Sequence, residues 1–139
     1  MFKWITAYLG MIVFVFVFVF VIDLAWLSVI SKSIYQQGIG HLMAAEPNLI
    51  YAGLFYLVYV LGLLWFAIRP NCTLPGIKGA FVAGATVGFL VYASYDLTNL
   101  ALLKDWPLES SLMDISWGTL LSSISASVGK MIFDRFNVG

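Results

Sequence analysis

Three aspartates lie inside otherwise apolar stretches of this chain: Asp23 in "FVFVFVFVIDLAW", Asp96 in "SYDLTN" and Asp114 in "MDISWG". Carboxylates in such surroundings hold a proton, bind a cation, accept hydrogen bonds or do acid/base chemistry, because a bare buried charge is expensive. Two of them share a pattern, Asp23-Leu-Ala-Trp26 and Asp114-Ile-Ser-Trp117, which sets acid and indole on one helix face at i and i+3. Tyr92 and Asn99 fall on the face of Asp96, with Tyr95 and Thr98 beside them. Read as a cation or proton site, Asp23, Asp96 and Asp114 are the ligands, Thr98 and Asn99 add neutral oxygens, and Tyr92 adds a hydroxyl. Such a set suits a hard ion (Mg²⁺, Ca²⁺ or Mn²⁺) and no other cofactor is evident. Tyr56 and Tyr59, from a tyrosine-rich stretch without an acid, are the expected cavity lining, with Trp26 and Trp117 tied to the acids.

The elements that position these residues follow from composition. The chain has 139 residues, 62% hydrophobic and only 10% charged, against about a quarter charged in a soluble domain. The Val/Phe alternation at 14–20 mimics a strand, but both alternating residues are apolar, so no face is defined. The run is long enough to cross a bilayer as a helix, too long for a secretory signal, and closed by no Ala-x-Ala site. Three further apolar stretches follow, and the spans read as 4–30, 47–68, 79–103 and 107–133, with prolines 47 and 107 in first turns. The expected fold is all-α: one integral membrane domain, 1–139, forming a four-transmembrane-helix bundle.

Charge gives the orientation. Lys3, Arg69, Lys78, Lys130 and Arg135 fall on one side and only Lys32 and Lys104 on the other, which places both termini in the cytoplasm of a bacterial inner-membrane, multi-pass protein. Helical rise puts Asp23 ~30 Å from Lys3, Asp96 ~27 Å from Lys78 and Asp114 ~24 Å from Lys130. The three acids therefore share one level near the outer face. Glu46, Asp105, Glu109 and Asp134 read as solvated or capping charges, Asp134 beside Arg135, and Trp4 and Trp106 as an interfacial belt. The loop at 31–46, with the only histidine, His41, is amphipathic enough to lie on the membrane and cover the acids. Cys72 stands alone and reads as an inert thiol. No basic cluster points to nucleic acid, and there is no phosphate-binding loop or nucleophile elbow. Gly84 and Gly88, with Gly118, Ser122, Ser125 and Gly129, allow helices to approach closely, within the chain or in a homo-oligomer.

The combination "DLAWL", "YDLTN", "DWP" and "DISWG" resembles an uncharacterised bacterial family of small four-helix membrane proteins, a predicted membrane domain of unknown function. The resemblance covers nearly the whole chain and marks the same aspartates, Asn99 and Trp117. It implies four spans and no particular activity; genes of that family sometimes lie near those of lipid-modifying enzymes, which implies a lipid-related role. Three classes of function stay open. One is binding or transport of a proton, cation or small solute at the aspartates. Another is a membrane-embedded enzyme or accessory protein acting on a lipid or apolar metabolite. A third is structural, with the acids as packing clamps. A polar path to the cytoplasm favours transport, a side opening at acid level favours a lipid ligand, and a sealed, fully satisfied cluster favours the clamp.

Overall fold

A backbone bathed in hydrocarbon must satisfy its own hydrogen bonds, and every element among the described residues is helical. The computed structural model describes residues 2–137, without the side chains of Phe2, Trp4 and Asn137, so the belt position expected for Trp4 lies outside the described residues. Helix α1, Phe2–Ala25, runs straight through the Val/Phe repeat and ends in a π-helical turn, Trp26–Ile30. The Trp26 carbonyl accepts from both the backbone N–H and the hydroxyl of Ser31 at 2.9 Å, closing that wide turn. A short amphipathic helix follows, α2, Lys32–Ile39. Helix α3, Leu49–Leu63, continues into a second π-helical turn, Leu64–Ile68. Helices α4, Lys78–Leu102, and α5, Leu108–Asn137, complete the chain.

Three of these stretches, Ile5–Ile30, Leu49–Asn71 and Lys78–Leu102, are long and apolar enough to cross a membrane. Helix α5 is longer, at 30 residues, but its serines and charges keep it out of that class by composition. Its start also corrects the expectation for the prolines. Asn48 caps α3, its side chain accepting from the N–H of Ile50 and Tyr51 at 3.1 and 3.4 Å, so Pro47 precedes the cap instead of occupying the first turn. Pro107 likewise stands just ahead of α5, its carbonyl accepting the first helical bond from Ser111 N–H.

The helices pack in a ring, α1–α3–α4–α5. Helix α5 lies along both α4 and α1, while α3 reaches α4 chiefly through the turn at 64–68. That contact is at the end of the bundle that holds the chain termini. Here Met11, Val15, Leu63, Ile68, Leu121 and Phe133 form a closed apolar core. At the opposite end, which carries α2, α3 and α4 make little contact. The buried stripe of α1 is Ala7, Met11, Val15, Val19 and Asp23, one residue in four, which brings Asp23 into line with the core.

The tightest contact joins α4 to α5. A Cβ at Gly84 would lie 2.5 Å from the Ser122 carbonyl oxygen, and one at Gly88 would overlap the Gly118 carbonyl oxygen. The small-residue motif is thus used inside the chain. A tight turn joins the two helices, with Asp105 in the left-handed region at φ 63°, a conformation Asp tolerates better than most side chains.

One charge departs from expectation. Lys130, counted from sequence among the cytoplasmic-side cations, is 1% exposed, and its ammonium binds both oxygens of the Asp134 carboxylate at 2.7 and 2.5 Å. Asp134 is therefore partnered by Lys130, one turn back, and not by Arg135. The long lysine stem buries along the core while its head reaches the helix end.

The close α4–α5 approach yields a direct test by thermal unfolding in detergent. Gly88→Ala should lose about 1–3 kcal/mol through overpacking. Gly53→Ala, whose added carbon meets nothing within 4 Å, should be neutral or gain up to about 1 kcal/mol of helix propensity.

Candidate functional site

Asp23, 8% exposed, is the anchor of the site. The Tyr56 hydroxyl donates to its Oδ2 at 2.5 Å and the Trp117 indole N–H donates to its Oδ1 at 3.0 Å. The repeated Asp-x-x-Trp pattern accounts for the second bond. Helices α1 and α5 are neighbours running in opposite directions, so residues 23 and 117 face each other and so do 26 and 114. The indoles of Trp26 and Trp117 stack between them, centroids 4.2 Å apart and 2° from parallel. The mirror bond, Trp26 to Asp114, is not made, and Trp26 Nε1 has no partner.

Asp114 is instead claimed by α2. The Tyr35 hydroxyl donates to Asp114 Oδ1 at 2.6 Å. Burial, and then the bond to Asp114, push the Tyr35 pKa well above the usual tyrosine value, so it stays a donor. Gly38 lets α2 settle on the start of α5, because any Cβ there would meet Pro107 and the Ser110 hydroxyl at 2.7 Å. Beneath α2 sits Asp96, 2% exposed. The side chains of Asp114, Ser111 and Trp106 approach its carboxyl group, yet its Oδ2 has no hydrogen-bond partner. Trp106 donates to the Ser111 hydroxyl at 2.9 Å and stands edge-on to Tyr95 at 6.0 Å.

Two clefts meet at these acids. The first, about 330 Å³, opens between α3 and α4 and is lined by Asp23, Trp26, Phe55, Val91, Tyr92 and Asp114, together with Leu27 and Tyr95. Its walls are mostly apolar. The second, about 1000 Å³, lies under α2, with Lys32, Tyr35, Asp96, Trp106, Ser110 and Asp114 among its lining. Leu27, Tyr95 and Asp114 belong to both. Below them the bundle closes. Tyr59 shares a 2.5 Å hydrogen bond with the Ser122 hydroxyl, which itself donates to the Gly118 carbonyl at 2.6 Å. Ser123 and Ser127 likewise donate to their own helix, to the carbonyls of Thr119 and Ser123.

The structure gathers most of the residues singled out by type and spacing. Asp23, Asp96, Asp114, Tyr92, Tyr95 and Trp26 line one cleft or both, and Tyr56 and Trp117 bind Asp23. Tyr59 sits one layer deeper, on Ser122. Thr98 and Asn99 line neither cleft. Thr98 is two residues past Asp96, about 200° around the helix, and is exposed; Asn99 sits beside Tyr95. Among the described residues, no group of three or more His, Cys, Asp or Glu side chains is arranged to hold a metal ion, and both oxygens of Asp23 already accept hydrogen bonds. Tyr35, Ser110 and Ser111 are additions. For Tyr35 the signal was the amphipathic loop at 31–46 and its reach over the acids. Trp106 also belongs to the site, where a belt residue was expected.

The family described as "Predicted membrane protein (DUF2177)" matches residues 5–131 of the chain. No curated protein and no solved structure matches it.

The hydrogen bonds to Asp23 and Asp114 can be separated by substitution. Trp117→Phe keeps a stacked ring but removes one donor from a buried carboxylate, a loss of about 1–3 kcal/mol in thermal or chemical unfolding. Tyr35→Phe should leave the melting of the bundle near wild type. It should speed hydrogen exchange across residues 32–39, read by mass spectrometry of the detergent-solubilised protein.

Proposed function

The chain belongs to that family of membrane proteins, whose function is unknown, and from this premise we propose that it binds a small amphiphile at its aspartate cluster, admitting it sideways from the bilayer. The observation that carries the reading is the apolar cleft between α3 and α4. Phe55 and Val91, 44% and 41% exposed, flank it where lipid chains lie, and Asp23 and Asp114 sit at its floor. The only charged groups in its lining are the carboxylates of Asp23 and Asp114, so the complementary ligand carries hydroxyl or ammonium donors on an apolar body.

In this reading α5 is the fourth span. Its exposed apolar side chains include Leu108, Leu112, Leu120, Ile124, Met131 and Phe136, whereas Ser122, Ser123, Ser125, Ser127 and Lys130 turn inward. The helix is ~45 Å long, more than the hydrocarbon thickness of about 30 Å. The cation bias then sets both termini in the cytoplasm and the clefts near the outer face of a bacterial inner membrane.

Binding draws more support than translocation. Met11, Val15, Leu63 and Leu121 fill the half of the bundle toward the termini, and the Ser123 and Ser127 hydroxyls bond to their own helix. A hard cation draws less support still, for want of a third free ligand group. A pure packing clamp is disfavoured by the open clefts and by the unpartnered Asp96 Oδ2 and Trp26 Nε1. One observation favours a catalytic variant: Asp96 and Asp114 lie side by side at the cleft, an arrangement suited to acid/base work on the bound molecule.

Calorimetric titration of the maltoside-solubilised protein with decylamine tests the reading. Saturable binding is expected for decylamine and not for decanoate. Val91→Trp, which fills the cleft mouth, should weaken it about tenfold or more, a loss of at least about 1.4 kcal/mol. Decylamine binding that ignores Val91→Trp, or no saturable binding at all, rules out the lateral cleft as the site.

A further inference from the structure

The cleft under α2 holds a polar arrangement that an apolar chain alone does not explain. At its floor are two adjacent carboxyl groups, Asp96 and Asp114. Asp114 spends one oxygen on Tyr35. Asp96 is 2% exposed, and its Oδ2 has no donor. An unsatisfied buried carboxylate oxygen is costly, and two carboxylates side by side repel unless a positive charge or a proton lies between them. A primary ammonium meets both needs, since it carries charge and three N–H donors on a compact centre. A metal ion would need further ligands, which the described residues do not assemble.

A second charge lies in the same cleft. Lys32 lines it, is exposed, and makes no ion pair among the described residues. An anion held there would sit on the outer side of an ammonium held at the acids. Leu27, Tyr95 and Asp114 then lead from this cleft into the apolar one between α3 and α4. The order is anion at the rim, ammonium at the floor, hydrocarbon to the side.

We propose that the cleft under α2 is a headgroup site for a phospholipid bearing a primary ammonium: the ammonium between Asp96 and Asp114, the phosphate at Lys32, and an acyl chain leaving past Leu27 and Tyr95 into the lateral cleft. The assignment rests on the reading that the lateral cleft takes an apolar chain. A trimethylated ammonium offers no N–H to Asp96 Oδ2 and is a poor substitute. A headgroup with hydroxyls and phosphate only brings a net negative charge to two carboxylates and is rejected.

The test titrates the full chain in maltoside with four probes: dihexanoylphosphatidylethanolamine, its choline and glycerol counterparts, and chain-free O-phosphoethanolamine. The ethanolamine lipid should bind about tenfold or more tighter than the choline lipid, the range of a charge-assisted hydrogen bond lost. The glycerol lipid and O-phosphoethanolamine should show no saturable binding at the same concentrations. Asp96→Asn should abolish the ethanolamine–choline discrimination. Lys32→Gln, at an exposed position, keeps the test decisive if Asp96→Asn does not fold. It should weaken the ethanolamine lipid several-fold, about the effect of one partly exposed charge, and leave decylamine binding unchanged. Equal affinity for ethanolamine and choline lipids, or preference for the glycerol lipid, overturns the headgroup assignment while decylamine binding still upholds the lateral cleft. Chain-free O-phosphoethanolamine binding as tightly as the lipid overturns the lipid source in favour of a soluble zwitterion. If neither decylamine nor any lipid binds, both readings fall together.

Discussion

An aspartate among apolar helices has no water to lean on, so the protein must supply its hydrogen-bond donors. That requirement organises the end of the bundle where Asp23, Asp96 and Asp114 gather. Asp23 draws Tyr56 from α3 and Trp117 from α5 to one point. Asp114 draws Tyr35, and with it the whole of α2, down onto the start of α5. The two carboxylates thereby set the register of three helices and the position of a fourth. The near-symmetry of the two Asp-x-x-Trp patterns makes the asymmetry informative. Asp23 keeps its indole donor, whereas Asp114 exchanges the matching one for a tyrosine on α2, and Trp26 Nε1 is left over.

The second organising contact is apolar and close. Gly84 and Gly88 bring α4 against the backbone of α5, where dispersion and close packing replace the hydrophobic effect as the source of association in lipid. The serines of α5 fill this seam without opening it. Several hydroxyls turn back to a carbonyl one turn earlier, so their polarity is consumed locally. This explains why α5 looks less apolar than the other long helices while its exposed surface is rich in Leu, Ile, Met and Phe. Near its end α5 also carries the Lys130–Asp134 pair, with the lysine buried and the aspartate half-exposed.

The separated α3 and α4 at the end that carries α2, and the closed core at the other end, divide the molecule in two. One half is a plug of Met, Val, Leu and Ile side chains. The other is a pair of joined clefts with acids at the junction. In the proposed reading, this division serves a receptor for an amphiphile that enters from the side and stays at one membrane level. It suits a conduit poorly.

Sequence alone determined a good deal: that the chain is a helical membrane protein, that the Val/Phe run is a helix in spite of its alternation, and that three acids lie at a common level. It also put each indole on the face of its aspartate, since helical periodicity depends only on spacing. It could not choose faces. Helix α1 is apolar all round, and only packing selected the stripe through Met11, Val15, Val19 and Asp23. Thr98 was legible as a neighbour of Asp96 in sequence, but the helix turns it to the opposite side. Lys130 was legible as a charge near a helix end, and its burial depended on what surrounds it. The donors were the least visible, because Tyr35, Tyr56 and Trp117 reach their carboxylates across gaps of 33 to 94 residues. Local pattern fixes what a residue can offer. Which groups meet is decided by the antiparallel register of α1 and α5 and by the docking of α2, and those exist only once the chain has folded.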